Sequence, residues 1–292
     1  MKGGASGPIA IVTDTSACLP AEVVAQRALR VVPLQVVIGA DSYDEGSEGA
    51  TPEVVAEALR GFRPVSTSRP SPAELLAAYE SAAAEGASAV VSIHLSGEMS
   101  GTFESAQLAA REASIPVHPV DSRQVGLATG FAVLSAADAV AAGLDASQVA
   151  SVAAERSAAS TSLFYVDTLE YLRRGGRVGA AAALLGGALA VKPLLEIRDG
   201  RVAMRERVRT SGRALARLEE LAVEAAGSSR VDVGVAHLAS ADRAEAFATK
   251  LAERLADNLE GREPWCAEIG AALGAHVGPG MVAVCIAPRS DF

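Results

Sequence analysis

The sequence predicts a two-domain α/β protein, with an N-terminal parallel-sheet, Rossmann-like domain and a C-terminal mixed α/β domain. Three observations carry this. Short β-branched runs alternate with alanine-rich or amphipathic segments through the first half, the order that yields a parallel sheet covered on both faces. That pattern changes near residue 160. Beyond it, residues 194–208 (LLEIRDGRVAMRERV) form two extended runs around Asp199-Gly200, a hairpin signal that brings antiparallel pairing. The expected domains are 1–160 and 161–292, and 292 residues suffice for two ordinary cores.

In chain order, strands are expected at 9–13, 31–38, 89–93, 115–120, 231–237 and 281–287, each a short run rich in Val, Ile and Ala. Helices are expected at 51–60, 103–113, 126–142, 145–160, 210–226 and 241–258. Another opens at Ser71-Pro72-Ala73-Glu74, with Ser71 as N-cap, Pro72 in the first turn and Glu74 closing a capping box. It is expected to run to about residue 85, where Gly86 stops it.

Composition excludes several functions. The net charge is −9 and no basic block interrupts the chain, which argues against nucleic acid as the main partner. The longest uncharged apolar stretch ends at Lys192-Pro193, short of the roughly 20 residues that span a bilayer, and the N-terminus MKGGASGP lacks the apolar core of a signal peptide. Cys18, Cys266 and Cys285 share no metal-ligand spacing and are read as reduced thiols of a cytoplasmic protein. No phosphate-binding loop, dinucleotide fingerprint or carboxylate cluster is present, so neither cofactor nor metal is expected.

Polar residues gather where strands hand over to helices. Thr13-Asp14-Thr15-Ser16 follows the first strand, as a capping turn or a ligand contact. Ser66-Thr67-Ser68 precedes the Ser71 cap, and Thr67 is left without a capping duty. The third cluster, 95–105 (LSGEMSGTFES), holds two Ser-Gly pairs where one N-cap would suffice. Gly97 and Gly101 there permit positive φ and close approach of a ligand, and Ser100 leads into a helix whose first N–H groups favour an anion. His276 lies among three glycines and a proline in 274–280, which is expected to leave its imidazole exposed to a ligand. Arg177, after Gly175-Gly176, is expected to bring charge to the interdomain cleft. A serine hydrolase finds less support: Ser100 misses the Gly-x-Ser-x-Gly elbow, and none of the four histidines has an acidic partner nearby in sequence.

In their order along the chain these stretches resemble the DegV family, the bacterial fatty-acid-binding proteins. The resemblance runs from Ile9 to about Ala287. It rests on Thr13-Asp14-Thr15, Thr67-Ser68-Arg69-Pro70-Ser71, residues 100–106 (SGTFESA), Val120-Asp121-Ser122, residues 169–178 (LEYLRRGGRV), residues 186–193 (GGALAVKP) and residues 274–280 (GAHVGPG). It implies two α/β domains with a long-chain fatty acid at their junction, the first bearing the head-group loops and the second completing the lipid pocket. It implies that Thr67 and Ser100 hold the carboxylate, with Gly101, His276 and Arg177 close by. It further implies a carrier, not an enzyme, that presents the fatty acid to a fatty acid kinase for acyl-phosphate formation, with Arg209 facing the kinase. The alternative is a Ser-dependent acyl hydrolase or a small-acid transferase. Three positions depart from the family pattern: Arg69 stands where Gln is usual, Thr15-Ser16 reverses the commoner order, and Ser96-Gly-Glu-Met precedes Ser100 where Ser-x-x-Leu is frequent.

Overall fold

The computed structural model describes residues 7–179 and 192–289. The first sheet has four parallel strands in the order β2-β1-β6-β7: β1 (Ile9–Asp14), β2 (Arg30–Val32), β6 (Ala89–His94) and β7 (Val117–Asp121). Strand alternation sends Ile11, Val91 and Ile93 to one face, against Ala132, Val133 and Ala136. Val12 and Val90 face the other way, against Leu75, Tyr79, Ala106 and Ala109. Helices therefore cover both faces, as the alternation predicts.

A second, six-stranded sheet has the order β10-β9-β8-β13-β11-β12. Its strands are β8 (Thr161–Tyr165), β9 (Lys192–Arg198), β10 (Arg201–Val208), β11 (Val231–His237), β12 (Trp265–Glu268) and β13 (Val282–Pro288). Only the β11–β12 pairing is parallel. The β9–β10 hairpin turns at Asp199-Gly200, both at positive φ, as the sequence predicts.

Two elements depart from expectation: the helix expected at 241–258 is interrupted at Leu255, and one expected strand is divided. The run expected as a single strand at 31–38 is split: Arg30–Val32 stays in the parallel sheet, and β3 (Gln35–Ile38) leaves for a small antiparallel sheet with β4 (Asp41–Asp44) and β5 (Val65–Ser68). Pro33 lies at the break, where its missing N–H cannot continue a ladder. The split matters because β5 carries Thr67.

The helix Leu127–Ala141 is buried nearly all round, the mark of a helix between two layers. Its Ala132, Val133 and Ala136 pack on the first sheet, while Leu127 and Phe131 pack beside Phe164, Ala236 and Cys285 of the second. No helix among the described residues is long and apolar enough to cross a membrane.

Candidate functional site

The second sheet has two unlike faces. Val233, Val235, Val282, Val284 and Leu163 point to one side and fill a core with Leu218, Leu221, Phe247 and Leu251. Alternate residues of the same strands are small, apart from Phe164. Ser162, Cys285 and Gly234 lie side by side in register, and so do Phe164, Ala283 and Ala236. Those six residues floor a cavity of about 450 Å³, within the roughly 300–1,000 Å³ usual for small-molecule sites. Leu127, Ile269, Leu273 and Met281 add apolar wall. Burial pushes the Cys285 thiol up to about 12, so it lines the floor as a neutral group. Nothing in the sequence analysis located this trough. Its signal was the alternation of small residues with Val in 231–237 and 281–287.

Polar residues line the same cavity, and all five binding residues expected from the sequence are among them: Thr67, Ser100, Gly101, Arg177 and His276. Thr67 projects from β5, and its Oγ1 lies 2.8 Å from His276 Nε2. His276 sits in the last turn of the short helix Ala271–Val277, which ends where Gly278 takes φ +75°. The imidazole is half-buried, not exposed as expected, because it packs against Gly175, where a Cβ would collide with Nδ1. Burial, followed by the charge of Arg177, lowers its pKa to about 4, so it is neutral at pH 7. Nδ1 is buried and has no hydrogen-bond partner among the described residues. A buried orphan N–H costs more than an orphan lone pair, so the ring proton belongs on Nε2 and is donated to Thr67 Oγ1. The Thr67 hydroxyl proton is then free to donate elsewhere.

Ser100 reaches the cavity from the loop that follows β6. Its Oγ accepts from Thr102 N at 3.3 Å and shares a hydrogen bond with Thr102 Oγ1 at 2.9 Å, so it satisfies the first N–H of the helix Thr102–Glu112, whose N-cap position is Gly101. Gly101 has φ −73°, so the positive φ expected there is not needed. What glycine permits is close approach: a Cβ would collide with Arg69 Nη1 and stand 2.7 Å from Arg69 Cζ. Arg177 is exposed, and it donates from Nε to Met99 O (3.1 Å) and from Nη1 to Gly175 O (2.5 Å). Arg209 is exposed beyond the end of β10 and lines no part of the cavity. Of residues 186–193, 186–191 lie outside the described residues.

One arrangement was missed. His94 does have an acidic partner: Nδ1 lies 2.8 Å from Asp14 Oδ2, and Nε2 lies 2.7 Å from Ser92 Oγ. Eighty positions separate Asp14 from His94, and only the pairing of β1 with β6 joins them. The constellation has the order of a hydrolase triad. Yet all three side chains are fully buried, and Ser92 Oγ is occupied by Tyr79 OH at 2.8 Å. Asp14 also accepts from Ser16 N (3.0 Å) and Leu95 N (3.4 Å), which makes its first role a turn cap, one of the two readings the sequence left open. No group of three or more His, Cys, Asp or Glu side chains among the described residues is placed to hold a metal ion.

Comparison with known proteins agrees with this architecture. A family profile described as an uncharacterised protein of the DegV family matches residues 8–289. A DegV domain-containing protein of Streptomyces coelicolor is 47% identical over 282 residues, covering 96% of this chain and 99% of that protein. A Thermus thermophilus DegV family protein, whose structure is described as showing fatty acid binding, superposes with a TM-score of 0.89 at 32% identity, over 97% of this chain and 100% of that one. Bacillus subtilis DegV, described as a fatty acid binding protein, superposes with a TM-score of 0.86 at 33% identity, over 97% of this chain and 100% of that one. A profile match over nearly the whole length, with relatives this similar, leaves one assignment: the chain belongs to the DegV family.

Proposed function

We propose that this protein binds a long-chain fatty acid, holds its carboxylate with Thr67 and Ser100, and presents it to a fatty acid kinase that makes the acyl phosphate. One observation carries the reading: a cavity with a mostly small-residue floor and apolar walls is lined at its polar part by Thr67, Ser100, His276 and Arg177. The trough suits an alkyl chain and the hydroxyls suit an anion. With the His276 proton on Nε2, Thr67 has its own proton to give to a carboxylate oxygen. The fatty acid binding described for the Thermus and Bacillus relatives supports the same ligand.

The protein acts in this reading as a cytoplasmic carrier without cofactor or turnover of its own. Residues 1–160 and 161–292 are read as the two domains that meet at the cavity. Arg209, exposed and apart from the cavity, is the kinase contact. No observation favours a hydrolase: the Ser92–His94–Asp14 arrangement is sealed, and Ser100 Oγ bonds only Thr102 among the described residues.

Titrating delipidated protein with saturated acids of increasing length tests the binding half. Affinity should rise with length until the trough is filled, each methylene contributing up to about 0.8 kcal/mol. Equal affinity for a short and a long acid would contradict it. For the kinase half, acyl phosphate should form only when kinase and nucleotide are added. Arg209→Ala should slow that step with fatty-acid affinity unchanged, and a wild-type rate would remove the assignment.

A further inference from the structure

Two guanidinium groups line the cavity mouth, and they are placed differently. Arg177 donates to the carbonyl oxygens of Met99 and Gly175. Arg69 lies across Gly101, with Nη1 donating to Gly101 O at 3.0 Å and pairing with the Glu104 carboxylate at 2.6 Å. The crossing depends on the missing side chain of Gly101, since a Cβ would collide with Nη1 and stand 2.7 Å from Cζ and 2.8 Å from Cδ. Arg69 thereby joins the two hydroxyl-bearing segments, two residues after Thr67 and over the residue that follows Ser100. Both of its bonds use one nitrogen. Its Nη2 and Nε donors make no hydrogen bond among the described residues.

We propose that Arg69 is the cation that makes this cavity select an anionic head group, with its strength set by Glu104. The proposal rests on the fatty-acid reading and adds a residue to it. A guanidinium with spare donors beside Thr67 and Ser100 offers charge-assisted hydrogen bonds to a carboxylate. Glu104 draws on the same charge. Both side chains are about half exposed or more, at 44% and 66%, so solvent keeps the effect modest.

The test compares a long-chain fatty acid with the fatty alcohol of the same length, each titrated into delipidated wild type, Arg69→Gln, Glu104→Gln and Gly101→Ala. Arg69→Gln should lower affinity for the acid about fivefold and leave the alcohol unchanged. Glu104→Gln should raise affinity for the acid by a similar factor. Gly101→Ala keeps every charge but lifts the Arg69 side chain, and it should follow Arg69→Gln. A strap with only a structural part would move acid and alcohol together. An acid-to-alcohol ratio unchanged by Arg69→Gln, or unmoved by Glu104→Gln, overturns the proposal while leaving the fatty-acid reading intact. A wild-type protein that binds neither ligand overturns both.

Discussion

Thr67 Oγ1 and His276 Nε2 stand 2.8 Å apart although 209 positions separate them in the chain. A strand of the small antiparallel sheet and a helix that leads into β13 bring them together. The contact aims the Thr67 hydroxyl, while burial and then the charge of Arg177 keep the imidazole neutral, so the arrangement depends on pH.

Stability should fall on acidification because of His276. Its folded pKa is about 4, against 6.5 for the free side chain, with burial the first cause. Below pH 6.5 the unfolded chain takes up a proton that the folded protein refuses. The resulting loss grows as pH falls to about 4 and reaches up to about 3 kcal/mol. Urea melts of wild type and His276→Gln between pH 7 and 4 should show a shallower decline for the variant. Parallel curves would place the titrating group elsewhere.

Ser100→Ala should weaken fatty-acid binding by about one to two powers of ten, the value of a hydrogen bond to a charged group. Ser100 Oγ also accepts from Thr102 N, so a stability loss of about 1 kcal/mol should accompany it. Thr67→Val should cost similar affinity. The double variant should lose less than the sum, because both hydroxyls serve one head group. Lower stability with unchanged affinity would leave Ser100 as a cap only.

Enlarging the trough floor should block the chain without unfolding the protein. Ala283 lies between Phe164 and Ala236 on the cavity face of β13. Ala283→Leu should lower affinity for a long-chain acid far more than for a medium-chain one. An equal loss for both would mean that the tail runs elsewhere.

Removing the buried partner of Asp14 should be costly and chemically silent. His94→Ala takes one buried hydrogen-bond partner from Asp14 and one from Ser92, a change that costs about 1–3 kcal/mol for each group left unsatisfied. Ser92 should stay unlabelled by serine-directed phosphonates in the folded wild type, since its hydroxyl is sealed by Tyr79 and His94. Labelling of Ser92 would reopen the hydrolase reading.

Local signals carried much of the fold, and distance along the chain hid the rest. The Ser71–Glu74 capping box, strand 231–237 and the Asp199-Gly200 turn are each written within a few residues. β5 is four residues long and mostly polar, so no strand was expected at Thr67. The helix that carries His276 has seven residues and a glycine in its middle, below the length at which periodicity speaks. Gly274 is there because Leu238 packs on it, with a Cβ only 3.1 Å from Leu238 Cδ2. The site residues were reached through motif resemblance, while the Asp14–His94 pair and the trough needed strand pairing across separate segments.

The most direct measurement is the identity of what the protein carries. Protein purified from cells should be denatured and its released small molecules identified by mass spectrometry. Each buried methylene contributes about 0.8 kcal/mol, so a long acyl chain should survive purification. The account predicts a long-chain fatty acid released in stoichiometric amount from wild type and depleted from Ala283→Leu. An empty cavity, or a polar metabolite in place of the fatty acid, would contradict it.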